Sequence, residues 1–115
     1  MSKMKKEYHK GEVIISHFPF SNLKSSIKRP AVVIANLKGE DLILCQITSK
    51  SHISDPYQIN LGINDFSEGG LKRESFIKPS IIFTIRKSLI LYYAGKVSEK
   101  KIKEVEEKIC EIICG

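Results

Sequence analysis

Ala31-Val32-Val33-Ile34-Ala35 is an unbroken apolar run that starts directly after Lys28-Arg29-Pro30. A strand with one wet face alternates between apolar and polar residues, so a run without a polar face predicts a strand buried on both sides. Leu42 to Thr48 behaves differently. Ile43, Cys45 and Ile47 share one face, while Leu42, Leu44, Gln46 and Thr48 share the other, which turns polar toward its end. Lys38-Gly39-Glu40-Asp41 joins the two runs, and Gly39 supplies the freedom that a tight connection needs. The pattern predicts a central antiparallel hairpin. In a hairpin the end of the second strand lies beside the start of the first, which makes Thr48 a neighbour of Arg29.

The remaining elements follow from similar signals. Gly11 marks a turn, and Glu12 to Phe18, with β-branched Val13, Ile14 and Ile15, predicts the first strand. Phe18-Pro19-Phe20 ends it; the two aromatics either wall the core or, for Phe20, stack on a base. Ser21 to Lys28 reads as a polar, basic loop. Tyr57 to Leu61 predicts a short strand and Asn64 to Gly70 a loop. The Gly69-Gly70 pair lacks the spacing of a phosphate-binding loop and reads as backbone freedom. Ser75 to Lys78 and Ser80 to Ile85 are strand-like, with Pro79 between them implying an edge, a bulge or a bend. Arg86 to Leu89 suits one helical turn, and Ile90 to Lys96 a last strand. Ser98 is a good helix N-cap, with Glu99 at the positive end of the helix. Ile102, Val105, Ile109 and Ile112 form an apolar stripe on a helix over residues 98–114. Residues 1–10, with Lys3, Lys5, Lys6 and Lys10, read as a flexible basic N-terminus.

A chain of 115 residues predicts one domain, and 42% hydrophobic with 28% charged residues is ordinary for a globular protein. The net charge of +6 adds a partner class: an anion, nucleic acid first and an acidic protein second. The excess is uneven. Residues 99–113 set five glutamates against four lysines, so the rest of the chain carries +7. Cys45, Cys110 and Cys114 show no metal-ligand spacing and no CxxC motif, and Cys110 and Cys114, one helical turn apart, suit a disulfide poorly. These features predict a reducing cytoplasm. No apolar stretch reaches about 18 residues, so no membrane span is expected.

The candidate chemistry returns to the central hairpin. Pro30 fixes its own φ and presses Arg29 toward an extended conformation. Arg29 is thereby a fork of donors on a rigid mount, which suits phosphate oxygens; the alternative is an ordinary surface arginine. His52, in the turn-rich segment 51–56, is either a general base near Thr48 or a solvated loop histidine.

Several ordered blocks resemble the MazF/PemK-like toxins of toxin–antitoxin pairs: Gly11-Glu12-Val13, Phe18-Pro19-Phe20, Lys28 to Val33, Ile47-Thr48-Ser49-Lys50, Gly69-Gly70-Leu71-Lys72, Thr84-Ile85 and Gly95-Lys96-Val97-Ser98. The resemblance implies a mainly β fold, an SH3-like barrel of the MazF/PemK/CcdB type with a C-terminal helix, working as a homodimer. It implies a metal-independent endoribonuclease without cofactor, cleaving single-stranded RNA (mRNA) and restrained by an acidic antitoxin. It makes Arg29 and Thr48 the catalytic pair, with Lys28, Ser49, Lys50, Phe20, Lys72, Ser75 and Lys78 as RNA contacts. Two departures stand out. Many relatives carry an acid where this chain has Ser80, and some carry an acidic residue or histidine in the loop that here runs Ser21 to Lys28 without either. These departures keep an RNA-binding module without catalysis open as an alternative. A gyrase-poisoning toxin of the same fold is a further alternative, but that mode uses a tryptophan and this chain has none.

Overall fold

The structure, a computed structural model, describes residues 7–18, 27–51 and 53–115, with backbone alone for Phe18 and Ile27. Its strands are β1 (Glu12–Phe18), β2 (Ile27–Asn36), β3 (Asp41–Thr48), β4 (Ile59–Leu61), β5 (Phe66–Gly69), β6 (Ser75–Arg86) and β7 (Ile90–Val97), followed by helix α1 (Glu99–Cys114). Two single 3₁₀ turns, Ile63–Asp65 and Lys87–Leu89, precede β5 and β7. The strands form one curled antiparallel sheet in the order β4-β6-β3-β2-β1-β7-β5, a half-barrel closed by the helix.

The unbroken apolar run has the cause its pattern implies. Ala31 and Val33 point into one buried cluster with Ile14, Leu42, Leu44, Ile85 and Ile90, while Val32 points into a second with Val13, Cys45, Ile47, Ile77 and Val97. β2 is therefore a core strand on both faces. β3 also feeds both clusters, Leu42 and Leu44 on one side and Cys45 and Ile47 on the other. Burial in apolar surroundings disfavours the thiolate and pushes the Cys45 thiol up to about 12. Cys110 and Cys114 are free and exposed.

Ser98 caps α1, its Oγ accepting from the Lys101 amide at 3.1 Å. Val105 is fully buried in the second cluster, and Ile102 and Ile109 pack beside it. Lys101 Nζ reaches back to the Asn60 carbonyl at 2.9 Å and so ties the helix to β4.

Four expectations are corrected. Lys28 is not in a loop: it lies in β2 opposite His17, and Pro30 stands fourth in that strand. The β2–β3 ladder starts only at Ala31, so Pro30 sits where pairing on one side stops, a position that tolerates a missing N–H. Residues 66–69, read as loop, form β5, paired with β7. The strand expected over Tyr57–Leu61 covers only Ile59–Leu61. Of the edge, bulge or bend implied at Pro79, the structure has the bulge, within one continuous strand, since Cys45 faces Ile82 while the next residue, Gln46, faces Lys78. Finally, Tyr8 is buried in the first cluster and is no part of a loose terminus. Its carbonyl accepts from Asn36 Nδ2 at 2.6 Å, and the neighbouring His9 amide donates to Glu12 Oε1 at 3.0 Å.

No helix among the described residues is long and apolar enough to cross a membrane.

Candidate functional site

Because β2 and β3 pair in the register Ala31–Gln46, two further steps set Arg29 opposite Thr48. The ladder stops at Ala31–Gln46, and a cavity of about 550 Å³ opens beyond it, between the start of β2 and the end of β3. Lys28, Arg29 and Pro30 form one side. Ile47, Thr48, Ser49 and Lys50 form the opposite side. The third wall is Leu71-Lys72-Arg73, with Ser75 from the start of β6.

The electrostatics are one-signed. Among the described residues, Lys28, Arg29, Lys50, Lys72 and Arg73 bring five cations to this lining, and none that lines it is a carboxylate. Arg29 is half-buried and held in the β1–β2 ladder opposite Ser16, whose hydroxyl donates to the Leu89 carbonyl at 2.9 Å. Lys28 is exposed. The Thr48 hydroxyl oxygen accepts from the Lys50 amide at 3.2 Å, which turns the chain back under the cavity and leaves the hydroxyl proton available for donation. The Ser75 hydroxyl donates to the Arg73 carbonyl at 3.0 Å, fixing that corner of the wall. Cations on a strand-mounted frame beside a hydroxyl donor can hold a phosphate and stabilise charge building on its oxygens.

The lining gathers Arg29, Thr48, Lys28, Ser49, Lys50, Lys72 and Ser75, seven of the nine residues singled out from the sequence. Phe20 lies outside the described residues, as does His52. Lys78 is not part of the cavity. It is buried, its ammonium 2.6 Å from Asp55 Oδ2 and 3.3 Å from Gln58 Oε1. Lys78 and the Tyr57 amide, both donating to it, hold the Asp55 carboxyl below the usual carboxylate range. Ser80 is exposed beside that pair. Besides the strand residues Pro30 and Ile47, the lining residues that the sequence did not single out as contacts are Leu71 and Arg73; the run Leu71-Lys72-Arg73 directly after two glycines was the available signal. Among the described residues no cluster of three or more His, Cys, Asp or Glu side chains could hold a metal ion.

The sequence profile of the PemK-like, MazF-like toxins of type II toxin–antitoxin systems matches residues 9–113. No curated protein matches the chain. Among solved structures, a mycobacterial endoribonuclease in complex with its cognate antitoxin superposes with a TM-score of 0.74 at 13% identity, over 94% of this chain and 96% of that one. MazF from Deinococcus radiodurans superposes with a TM-score of 0.70 at 16% identity, over 92% and 96% of the two chains. A MazE–MazF structure from the same organism gives 0.71 at 15% identity, over 91% and 94%. At these identities the likeness is one of fold, and the family rests on the profile.

Proposed function

Since this chain belongs to the PemK-like, MazF-like toxins of type II toxin–antitoxin systems, we propose that it acts as a metal-independent endoribonuclease on single-stranded RNA, with Arg29 and Thr48 as its catalytic pair. The observation that carries the reading is the cation cavity between β2 and β3, where Arg29 and Thr48 stand across from each other and no carboxylate among the described residues repels a phosphate. The reaction is internal transesterification. The ribose 2′-hydroxyl gives its proton to solvent water as its oxygen bonds to the adjacent phosphorus, the bond to the 5′-oxygen breaks, and the products are a 2′,3′-cyclic phosphate and a 5′-hydroxyl. Negative charge grows on the phosphoryl oxygens along the way. Arg29 stabilises it and delivers a proton to the leaving oxygen, directly or through water, while Thr48 donates a hydrogen bond to the same group. Preorganised charge and positioning can supply most of such a rate without metal. Lys28, Ser49, Lys50, Lys72 and Ser75 hold the strand on either side.

The mycobacterial neighbour forms a complex with a cognate antitoxin, and the +6 charge of this chain suits an acidic partner segment that folds on binding. The chain would work as a cytoplasmic homodimer, which would cover apolar side chains left exposed on β6 and β7, Ile81, Ile82 and Leu91 among them. One observation favours a second reading, an RNA-binding module without catalysis: among the described residues, the cavity lining holds neither a carboxylate nor an imidazole to take the 2′-hydroxyl proton. Incubating unstructured RNA with pure protein in EDTA separates the two. Fragments ending in cyclic phosphate support the nuclease; intact RNA in a stable complex supports the module.

A further inference from the structure

A second cavity, of about 490 Å³, adjoins the first and shares Pro30, Leu71 and Lys72 with it. Its floor follows from register. Pro30 on β2 pairs with Ile15 on β1, and Ile15 pairs with Tyr92 on β7, so three side chains line up across three adjacent strands. Ile15 is nearly buried, whereas Tyr92, at the far end of the row, is 54% exposed. The neighbouring Tyr93 also lines the cavity, but its hydroxyl is held by Glu68. The Gly70-Leu71-Lys72 segment borders both cavities and is pinned by the Gly70 amide donating to the Ala94 carbonyl at 3.1 Å.

From these contacts we propose that the Pro30–Ile15–Tyr92 row is a base-binding shelf, on which the base of a nucleotide flanking the scissile phosphate stacks against Tyr92. The proposal rests on the nuclease reading of the Arg29 cavity. Three observations select a nucleobase as occupant. The shelf is continuous with the cation cavity, so a strand whose phosphate sits at Arg29 must pass over Pro30. From β2 to β7 is two strand spacings, roughly 10 Å, which one nucleotide can bridge. The floor is apolar and ends in an exposed aromatic ring, with the Lys72 cation at its side, the combination that holds single strands by stacking plus backbone charge. Stacking tolerates any base, so the shelf supplies affinity and placement, not the choice of sequence.

The test uses the full chain, a 12-nucleotide single-stranded RNA carrying 2-aminopurine at successive positions, and the variants Tyr92→Ala, Tyr92→Phe and Arg29→Ala. Tyr92→Ala should weaken RNA binding and raise KM roughly ten-fold, the scale of one lost base–aromatic stack. Its kcat should stay within about two-fold of the parent's, because Tyr92 does not touch the reacting atoms. Tyr92→Phe should restore binding, since the ring and not the hydroxyl does the stacking. One position of 2-aminopurine should be quenched by the parent and by Tyr92→Phe but not by Tyr92→Ala. If the parent cleaves, Arg29→Ala does not, and Tyr92→Ala binds RNA like the parent, the shelf is no base site while the nuclease reading stands. If Tyr92→Ala instead weakens only an acidic peptide competitor, the surface belongs to a protein partner and the proposal falls. A parent that neither binds nor cleaves the RNA overturns both readings.

Discussion

Lys78 on β6 and Asp55 in the segment between β3 and β4 form an ion pair of 2.6 Å, with side chains only 6% and 15% exposed. The pair ties the chain that runs on from Thr48 down onto the sheet. Gln58 extends the tie, accepting from Lys78 and donating from Nε2 to Ser51 Oγ at 2.9 Å. Taking one partner from a buried pair leaves a desolvated charge alone, which costs more than the pair was worth. Asp55→Asn or Lys78→Gln should therefore destabilise the fold by about 3 kcal/mol. Urea denaturation at neutral pH measures it, and an unchanged midpoint would mean that water already screens the pair.

The same contact sets a pH dependence. Hydrogen bonding from Lys78, then from the Tyr57 amide, lowers the Asp55 pKa in the folded state. A lowered carboxylate pKa gives stability that is fully present above the unfolded value of about 3.9 and is lost as pH falls through the folded one. The parent should lose stability over that acid range more steeply than Asp55→Asn, while near pH 7 Asp55 contributes no slope. Denaturation midpoints between pH 7 and pH 2.5 decide it; parallel curves for the two proteins would remove Asp55 from the account.

Arg29 and Lys28 are consecutive cations on β2 that differ in mounting, Arg29 half-buried across from Thr48 and Lys28 exposed across from His17. Arg29→Ala should cut the single-turnover cleavage rate by roughly 10²-fold or more, with a smaller loss of RNA affinity. Arg29→Lys should not rescue it, because one ammonium cannot reproduce the planar fork. Lys28→Ala should weaken binding and flatten its salt dependence while leaving the saturated rate near the parent's. Loss of binding alone in Arg29→Ala would make Arg29 a phosphate clamp.

Two glycines hold the third wall of the cavity in place. A Cβ on Gly95 would meet the Glu68 carbonyl oxygen at 2.5 Å, and one on Gly69, whose φ is +62°, would meet the Ala94 oxygen at 2.3 Å. β5 and β7 approach too closely here for any side chain. Gly95→Ala should cost about 1–3 kcal/mol, the scale of overpacking. It should also impair RNA binding at temperatures where the fold persists, because β5 carries the Gly70–Arg73 segment. Circular dichroism and binding on one preparation check both halves, and normal binding would detach the wall from β5.

These cases mark what the sequence could convey. β1 was readable to the residue because Val13, Ile14 and Ile15 are β-branched and Phe18-Pro19 closes the run. The Arg29–Thr48 juxtaposition was readable because in a hairpin the end of one strand lies beside the start of the other; the one-residue register shift between Val33 and Ala35 was not. β5 was not, because Phe66-Ser67-Glu68-Gly69 has little apolar alternation and becomes a strand only through the close glycine contact with β7. The burial of Lys78 was equally hidden: a lysine in a strand reads as surface until a distant loop brings Asp55 and Gln58 over it. The Leu71–Arg73 wall inherits the obscurity of β5. Tyr8 was masked by the lysines around it, its burial depending on a hydrogen bond from Asn36 on another strand.

The strand order also sets a timetable for biosynthesis. β1 emerges first and lies deep in the sheet, and one of its two neighbours, β7, ends only at Val97. The Gly70–Arg73 segment waits on the same strand, since β5, at the edge of the sheet, pairs with β7. A nascent chain on the ribosome thus carries Arg29 and Thr48 long before it can assemble the cavity around them, and such long-range pairing closes slowly. On the proposed function, the messenger being translated is spared until β7 has emerged, a delay built into topology.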